Sequence, residues 1–295
     1  GSTLGNIQDA SLIEVPGADS MGWLAVGSTG IRFVQPDVRI VDMATWTSDY
    51  VQPKAMDGGA VVVDSSGHEG VFWAGTQAVQ AAWWAEQNLV QLRAGTYGPI
   101  VIGSTYGNNI TLQGTGRQET TSRDDSWRGI SLVDGGTTAH AIEITISNVT
   151  IRDLVVRTKP GGGNAYNGIS GTSGGRMTVM DISCDGADQD CINRGGSEQD
   201  AVFRSKFFDS DRYGVSINTP RSMIHSNWFS GDLGSSGYYC GSAGDNSSYV
   251  GNLSEETTAN TLAAGCDNSL VDAELNSTAV TNSSTGSTVG TQETY

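Results

Sequence analysis

Apolar residues alternate with polar ones over short runs, and the runs recur. One family reads Asn148-Val149-Thr150-Ile151-Arg152-Asp153, then Arg176-Met177-Thr178-Val179-Met180-Asp181, then Ala201-Val202-Phe203-Arg204-Ser205, then Met223-Ile224-His225-Ser226-Asn227. A second family is centred on Ile169, Ile192, Val215 and Tyr239, which step by 23, 23 and 24 residues. Period-2 alternation within each run predicts half-buried strands. The shared period places at least two strands and their turns in every repeat. A period in the low twenties with sparse Leu predicts a β-solenoid rather than a leucine-rich repeat, and a β-sandwich has no reason to repeat. Each coil buries its inward side chains only by stacking on the next.

Solenoid ends need covering, because a terminal coil exposes unpaired strand edges. Residues 76–88 predict that cap as a helix, with Thr76 as N-cap and Ala78, Val79, Ala82, Trp83 and Ala85 near helical spacing. The first coil should follow as Leu89-Val90-Gln91-Leu92, a turn at Ala94–Gly98, Ile100-Val101-Ile102 and Ile110-Thr111-Leu112. Residues 1–70 do not share the period. Their runs Ile31-Arg32-Phe33-Val34, Val38-Arg39-Ile40-Val41 and Ala60-Val61-Val62-Val63 predict a β-rich anchoring region. The division expected is 1–70 anchor, 71–275 solenoid and 276–295 a Ser/Thr-rich tail, read as a last irregular coil, a linker or disorder.

The helix, Leu92-Arg93-Ala94-Gly95-Thr96-Tyr97 and Ile110-Thr111-Leu112-Gln113-Gly114-Thr115-Gly116 together resemble the opening of the pectate-lyase-like right-handed parallel β-helix superfamily. The chain is similar to the versions in virus tailspikes and secreted polysaccharide-active enzymes, and the resemblance covers about 76–255. It implies an all-β, right-handed parallel β-helix. It does not imply one activity, since that superfamily holds lyases, glycosidases, epimerases and binding fibres. It also implies a homotrimer.

Composition narrows the classes. The 295 residues carry 16 basic and 32 acidic side chains, a net charge of −16, which opposes nucleic-acid binding. Lys occurs only as Lys54, Lys159 and Lys206. Acidic excess with scarce Lys points to a halophilic source, where salt screens self-repulsion; an ordinary acidic secreted protein has the same balance. No apolar run is long enough to insert in a membrane. Cys184, Cys191, Cys240 and Cys266 lack zinc or redox spacing and are disulfide candidates, with buried free thiols as the alternative. Six N-x-S/T triplets, at Asn109, Asn148, Asn246, Asn252, Asn276 and Asn282, add to an extracellular reading.

Stacked coils turn the period into columns. Asp185, Asp209 and Asp232 step by 24 and 23, Asp188 and Asp211 by 23, and Asp190 lies beside them. Such a strip can supply an acid and a base for glycoside hydrolysis, or hold Ca²⁺ beside a uronate. The plainer reading is that Asp caps turns. Asp188-Gln189-Asp190-Cys191 partly resembles the Asp-Asp-Cys signature of polygalacturonases, but Gln189 replaces an Asp. The His-Gly expected one coil later is Arg212-Tyr213-Gly214 here. No complete lyase motif is present either. Trp127, Trp228 and Tyr238, with Asp211 and Asp232, are the candidate glycan contacts, since flat rings pack on sugar faces. The segment 118–138 interrupts the period and carries Arg123-Asp124-Asp125-Ser126-Trp127-Arg128.

The function expected is extracellular recognition or attachment: a tailspike-like or receptor-binding virion protein, or a cell-surface adhesin. It would bind a cell-surface glycan or glycoprotein receptor and join a larger virion or surface assembly through its N-terminal region. The alternative is a polysaccharide lyase or glycoside hydrolase using Asp185, Asp188, Asp190 and Asp209 with Arg212.

Overall fold

A computed structural model describes residues 89–294 except 93, 104–108, 118–129, 159–162, 164, 172–174, 197–198 and 256–257. Before residue 89 it describes the backbone of five strands, Asp9–Glu14, Met21–Gly27, Gly30–Val34, Ala60–Asp64 and Trp73–Ala74. The expected helix over 76–88 and the run 38–41 lie outside the described residues.

Three parallel sheets run the length of an all-β solenoid of about seven turns. The first sheet extends from Leu89–Leu92 to Thr288–Val289, and Ala60–Asp64 pairs in parallel with Leu89–Leu92 at its edge. A second runs from Gly95–Tyr97 to Gln292–Thr294, and a third from Ile100–Ile102 to Thr281–Asn282. The two strand families read in the sequence are the first and third sheets. The second sheet, with Val155–Arg157, Ser183–Ala187, Lys206–Ser210 and Trp228–Ser230, adds a third strand to each repeat. Strands after 275 continue all three sheets, so the Ser/Thr-rich segment forms a further coil. Asp9–Glu14, Met21–Gly27 and Gly30–Val34 form a separate antiparallel sheet.

Alternation within each strand fills the interior. Val90, Leu112, Ile151, Val179, Val202, Ile224, Tyr249 and Val271 are buried inward residues of the first sheet, and Ile100, Ile142, Ile169, Ile192, Val215 and Tyr238 form a column of the third. The register matters at Tyr238. Val215 pairs with Tyr238, not Tyr239. A slip of one residue reverses the face. Tyr238 is therefore wholly inside, stacked on Tyr249 with ring centroids 4.6 Å apart. Both disulfides, Cys184–Cys191 and Cys240–Cys266, lie within this core.

The turn from the first sheet to the second sets the stacking. One residue per coil has a left-handed backbone there: Asp153, Asp181, Arg204, Ser226, Gly251 and Ala273, with φ between 46° and 66°. The next residue points inward. Early coils use Leu154 and Ile182; later ones use Ser205, Asn227, Asn252 and Glu274, all buried. These later side chains link coil to coil. Ser205 N–H donates to Asn227 Oδ1 at 3.0 Å and Asn227 N–H to Asn252 Oδ1 at 2.9 Å, while Asn252 Nδ2 donates to Glu274 Oε1 at 2.8 Å. A second ladder at the start of the first sheet runs through Asp200, Ser222, Ser247, Ser269 and Ser287, each accepting a backbone N–H from the coil before. Turn amides that would be orphaned inside a stack are met in this way.

One ion pair stands in the core. Arg194 occupies the inward column between Gly171 and Ile217, and its Nε lies 3.2 Å from Asp200 Oδ2, both side chains being almost fully buried. Thr219 donates to the same carboxylate at 2.7 Å, and Arg194 NH2 donates to Gly175 O at 2.6 Å. Gly171 makes room, since a Cβ there would stand 2.5 Å from Arg194 NH1.

Asp200→Asn leaves this guanidinium buried without its counter-charge and should lower stability by about 3–5 kcal/mol in denaturant unfolding. Glu274 gives a pH signature. Burial raises its pKa to about 7, against hydrogen bonds from Asn252 that lower it. Its protonated form is favoured by folding, so this contribution is full below about pH 4.5 and is lost as pH rises through 7, a change on the order of 3 kcal/mol. Glu274→Gln should flatten that decline in unfolding measured from pH 4.5 to 8.

Candidate functional site

The outward face of the first sheet carries a concavity of about 290 Å³. Alternation sends Thr111, Thr150 and Thr178 outward, and the register stacks them in one column. Asn109 and Asn148, in left-handed conformation (φ 69° and 59°), open the strands and leave their side chains exposed. Arg176 takes the corresponding place in the next coil and lines the same recess. The site therefore offers three hydroxyls, two amides and one guanidinium, a lining suited to the hydroxyls and ring oxygens of a sugar or to an acidic sugar group. The readable signal was Asn-x-Thr, Asn-x-Thr, Arg-x-Thr in successive first-sheet strands; the sequence places these residues in strands and reads Asn109 and Asn148, with four further Asn, as glycosylation triplets. Two of those triplets are buried: the side chains of Asn252 and Asn276 lie in the interior.

The acidic strip is built differently. Asp188 accepts backbone N–H groups from Gly163 at 2.9 Å and Tyr166 at 3.4 Å, ordering the preceding loop. Asp190 is fully buried and accepts from Asn193 Nδ2 at 2.6 Å, Arg212 Nε at 2.7 Å, Arg212 NH2 and Tyr213 N–H at 3.2 Å. Its hydrogen bond raises the Arg212 pKa further. Asp209 has φ 52° and accepts the Asp232 N–H at 3.0 Å. Asp185 is buried and pairs in register with Phe208, so Asp209 is not its vertical neighbour. Asp211 and Asp232 are exposed. Asp188 thus holds backbone donors, and Asp190 holds amide, guanidinium and backbone donors. A Ca²⁺ cage needs six to eight oxygens together. Among the described residues no group of three or more His, Cys, Asp or Glu side chains is placed to hold a metal ion.

The aromatic candidates separate. Trp127 lies outside the described residues. Tyr238 has no exposed face, and burial raises its phenol pKa well above the ordinary value. Trp228 is half-buried on the outer face of the second sheet, with Lys206 Nζ 4.9 Å from its ring centroid and Phe208 edge-on at 5.9 Å. The neighbour of Tyr238 is the outward one: Tyr239 stacks on Tyr213 at 4.8 Å, and the Arg212 guanidinium stands 5.0 Å from the Tyr213 ring centroid.

One nucleophile–base contact occurs on the first sheet's outer face, His225 Nε2 to Ser248 Oγ at 2.7 Å. Burial lowers the His225 pKa and Phe203 packs edge-on against the ring at 5.9 Å. The chain matches no protein-family model, no curated protein and no solved structure.

If Asp190 is a scaffold for the Arg212–Tyr213 turn, Asp190→Asn should cost about 1.5–3 kcal/mol, the range for hydrogen bonds to charged groups. Equilibrium unfolding of the variant measures this; unchanged stability would return Asp190 to the catalytic candidates.

Proposed function

We propose that this chain is an extracellular recognition module that binds an extended cell-surface glycan on the outer face of its solenoid. In this reading the fold is the right-handed, pectate-lyase-like form of the parallel β-helix. The protein is a tailspike-like or receptor-binding component of a halophilic system, trimeric, and joined to its assembly by the N-terminal region. The observation that carries the proposal is the contrast between two faces. The hydroxyl, amide and guanidinium groups of the Thr111–Thr150–Thr178 recess stand open, while Asp188 and Asp190 are engaged by backbone and guanidinium donors. Two disulfides support an oxidising compartment. Arg176 favours a glycan with carboxylate or sulfate groups, as a cation lining the recess on a chain of net charge −16.

A glycan array at high salt, followed by calorimetry on the best ligand, tests this. Arg176→Ala and Thr150→Val should each weaken binding about tenfold, equivalent to about 1.4 kcal/mol, with the fold intact by circular dichroism. Reducing-end and unsaturated-product assays on the same glycan should stay flat. Turnover that Asp209→Asn abolishes would overturn the reading in favour of a hydrolase or lyase.

A further inference from the structure

Four polar atoms in the interior of the last coils have no hydrogen-bond partner among the described residues: Tyr238 Oη, Tyr249 Oη, Glu274 Oε2 and Asn276 Nδ2. Their residues are all at most 2% exposed. They occupy one stretch of the core. Tyr238 and Tyr249 stack on one another, both phenols feel the Glu274 charge, and Glu274 and Asn276 point inward from a single strand. The remaining atoms of this group are engaged. Glu274 Oε1 accepts from Asn252 Nδ2, and Asn276 Oδ1 accepts from Asn260 Nδ2 at 3.2 Å.

The inward column of the second sheet also loses bulk here, while Tyr249 follows Ile224 in that of the first. The inward column of the second sheet runs Phe207, Phe229, Ser254 and Asn276 in register, so two stacked phenylalanines give way to two small polar residues. Phe229 is the last large group of that column, 6.0 Å from the Tyr238 ring. The change sets further polar groups beside Glu274 and the two phenols.

The needs of the four atoms select the occupant. Asn276 Nδ2 can only donate, Glu274 Oε2 accepts when ionised and can donate when protonated, and the phenols do either, so the occupant must both donate and accept. A cation would leave the amide N–H unmet, and an anion would face the Glu274 carboxylate. We infer that the C-terminal coils enclose an internal water site, in which ordered water bridges Glu274, Tyr238, Tyr249 and Asn276 and completes the polar ladder of Asn227 and Asn252. Buried water of this kind makes about three hydrogen bonds and is costly to remove.

The full chain tests it in two ways. In a crystal structure at high resolution, water should lie within hydrogen-bond distance of Glu274 Oε2 and at least one phenol oxygen. Tyr238→Phe and Tyr249→Phe keep the ring and remove only the hydroxyl. Each should lower the folding equilibrium constant about fivefold, and Tyr249→Phe combined with Glu274→Gln should be non-additive. A dry site gives the opposite sign, because removing an unsatisfied buried hydroxyl stabilises the fold. Rising stability in both Tyr→Phe variants, or density with a phenol directly on Glu274 and no water between, would overturn the inference.

Discussion

Every coil of this protein must satisfy its turns through its neighbours. Strand amides in a parallel stack find partners automatically, because the same strand recurs in the next coil. Turn amides do not, and a buried unpaired N–H is costly. The side chains of Ser205, Asn227 and Asn252 on one edge, and of Asp200, Ser222, Ser247 and Ser269 on another, solve this by accepting from the preceding coil. The ladders also hold the register, and the register decides which side chains face out. Which side chains reach the outer surface follows from where the turns are pinned.

That logic divides the polar residues into two populations. Those at the turns and in the interior, such as Asp190, Arg194, Asp200 and Glu274, serve the stack. Those on outward columns, such as Thr111, Thr150 and Thr178, are left available to a ligand. A carboxylate column inferred from spacing alone mixes the two. Asp209 has a left-handed backbone within the strand Lys206–Ser210, and Asp188 accepts the Gly163 and Tyr166 N–H groups. Neither role requires an acid beyond its ability to accept backbone hydrogen bonds.

The repeat itself was legible, because alternating runs around Ile151, Val179, Ile169 and Ile192 need no tertiary information. The second sheet was harder to see: Val155–Arg157 and Ser183–Ala187 are short, and outward positions such as Leu132 and Val155 are buried, so alternation there is blurred. Tyr238 and Tyr239 show a sharper limit. Either aligns with Val215 to within one residue, and a single step separates a core ring from a surface ring. The Arg194–Asp200 pair could not be read at all, because six residues of sequence separation become a core contact only once Gly171 vacates space one coil away. The recess was not legible because Asn-x-Thr is at once a modification signal and a left-handed residue followed by an outward threonine, and only the coil-to-coil register separates the two.

The most direct test of coil-to-coil pinning is hydrogen exchange, read by mass spectrometry at peptide level, on an Asn227→Ala variant. Asn227 accepts from Ser205 N–H at 3.0 Å, donates from Nδ2 to Val202 O at 3.0 Å, and sends its own N–H to Asn252 at 2.9 Å. Protection should fall together around residues 200–207, 224–229 and 250–254, segments 22–25 residues apart in sequence. Loss confined to 224–229 would contradict the account, because the ladder would then carry no load between coils.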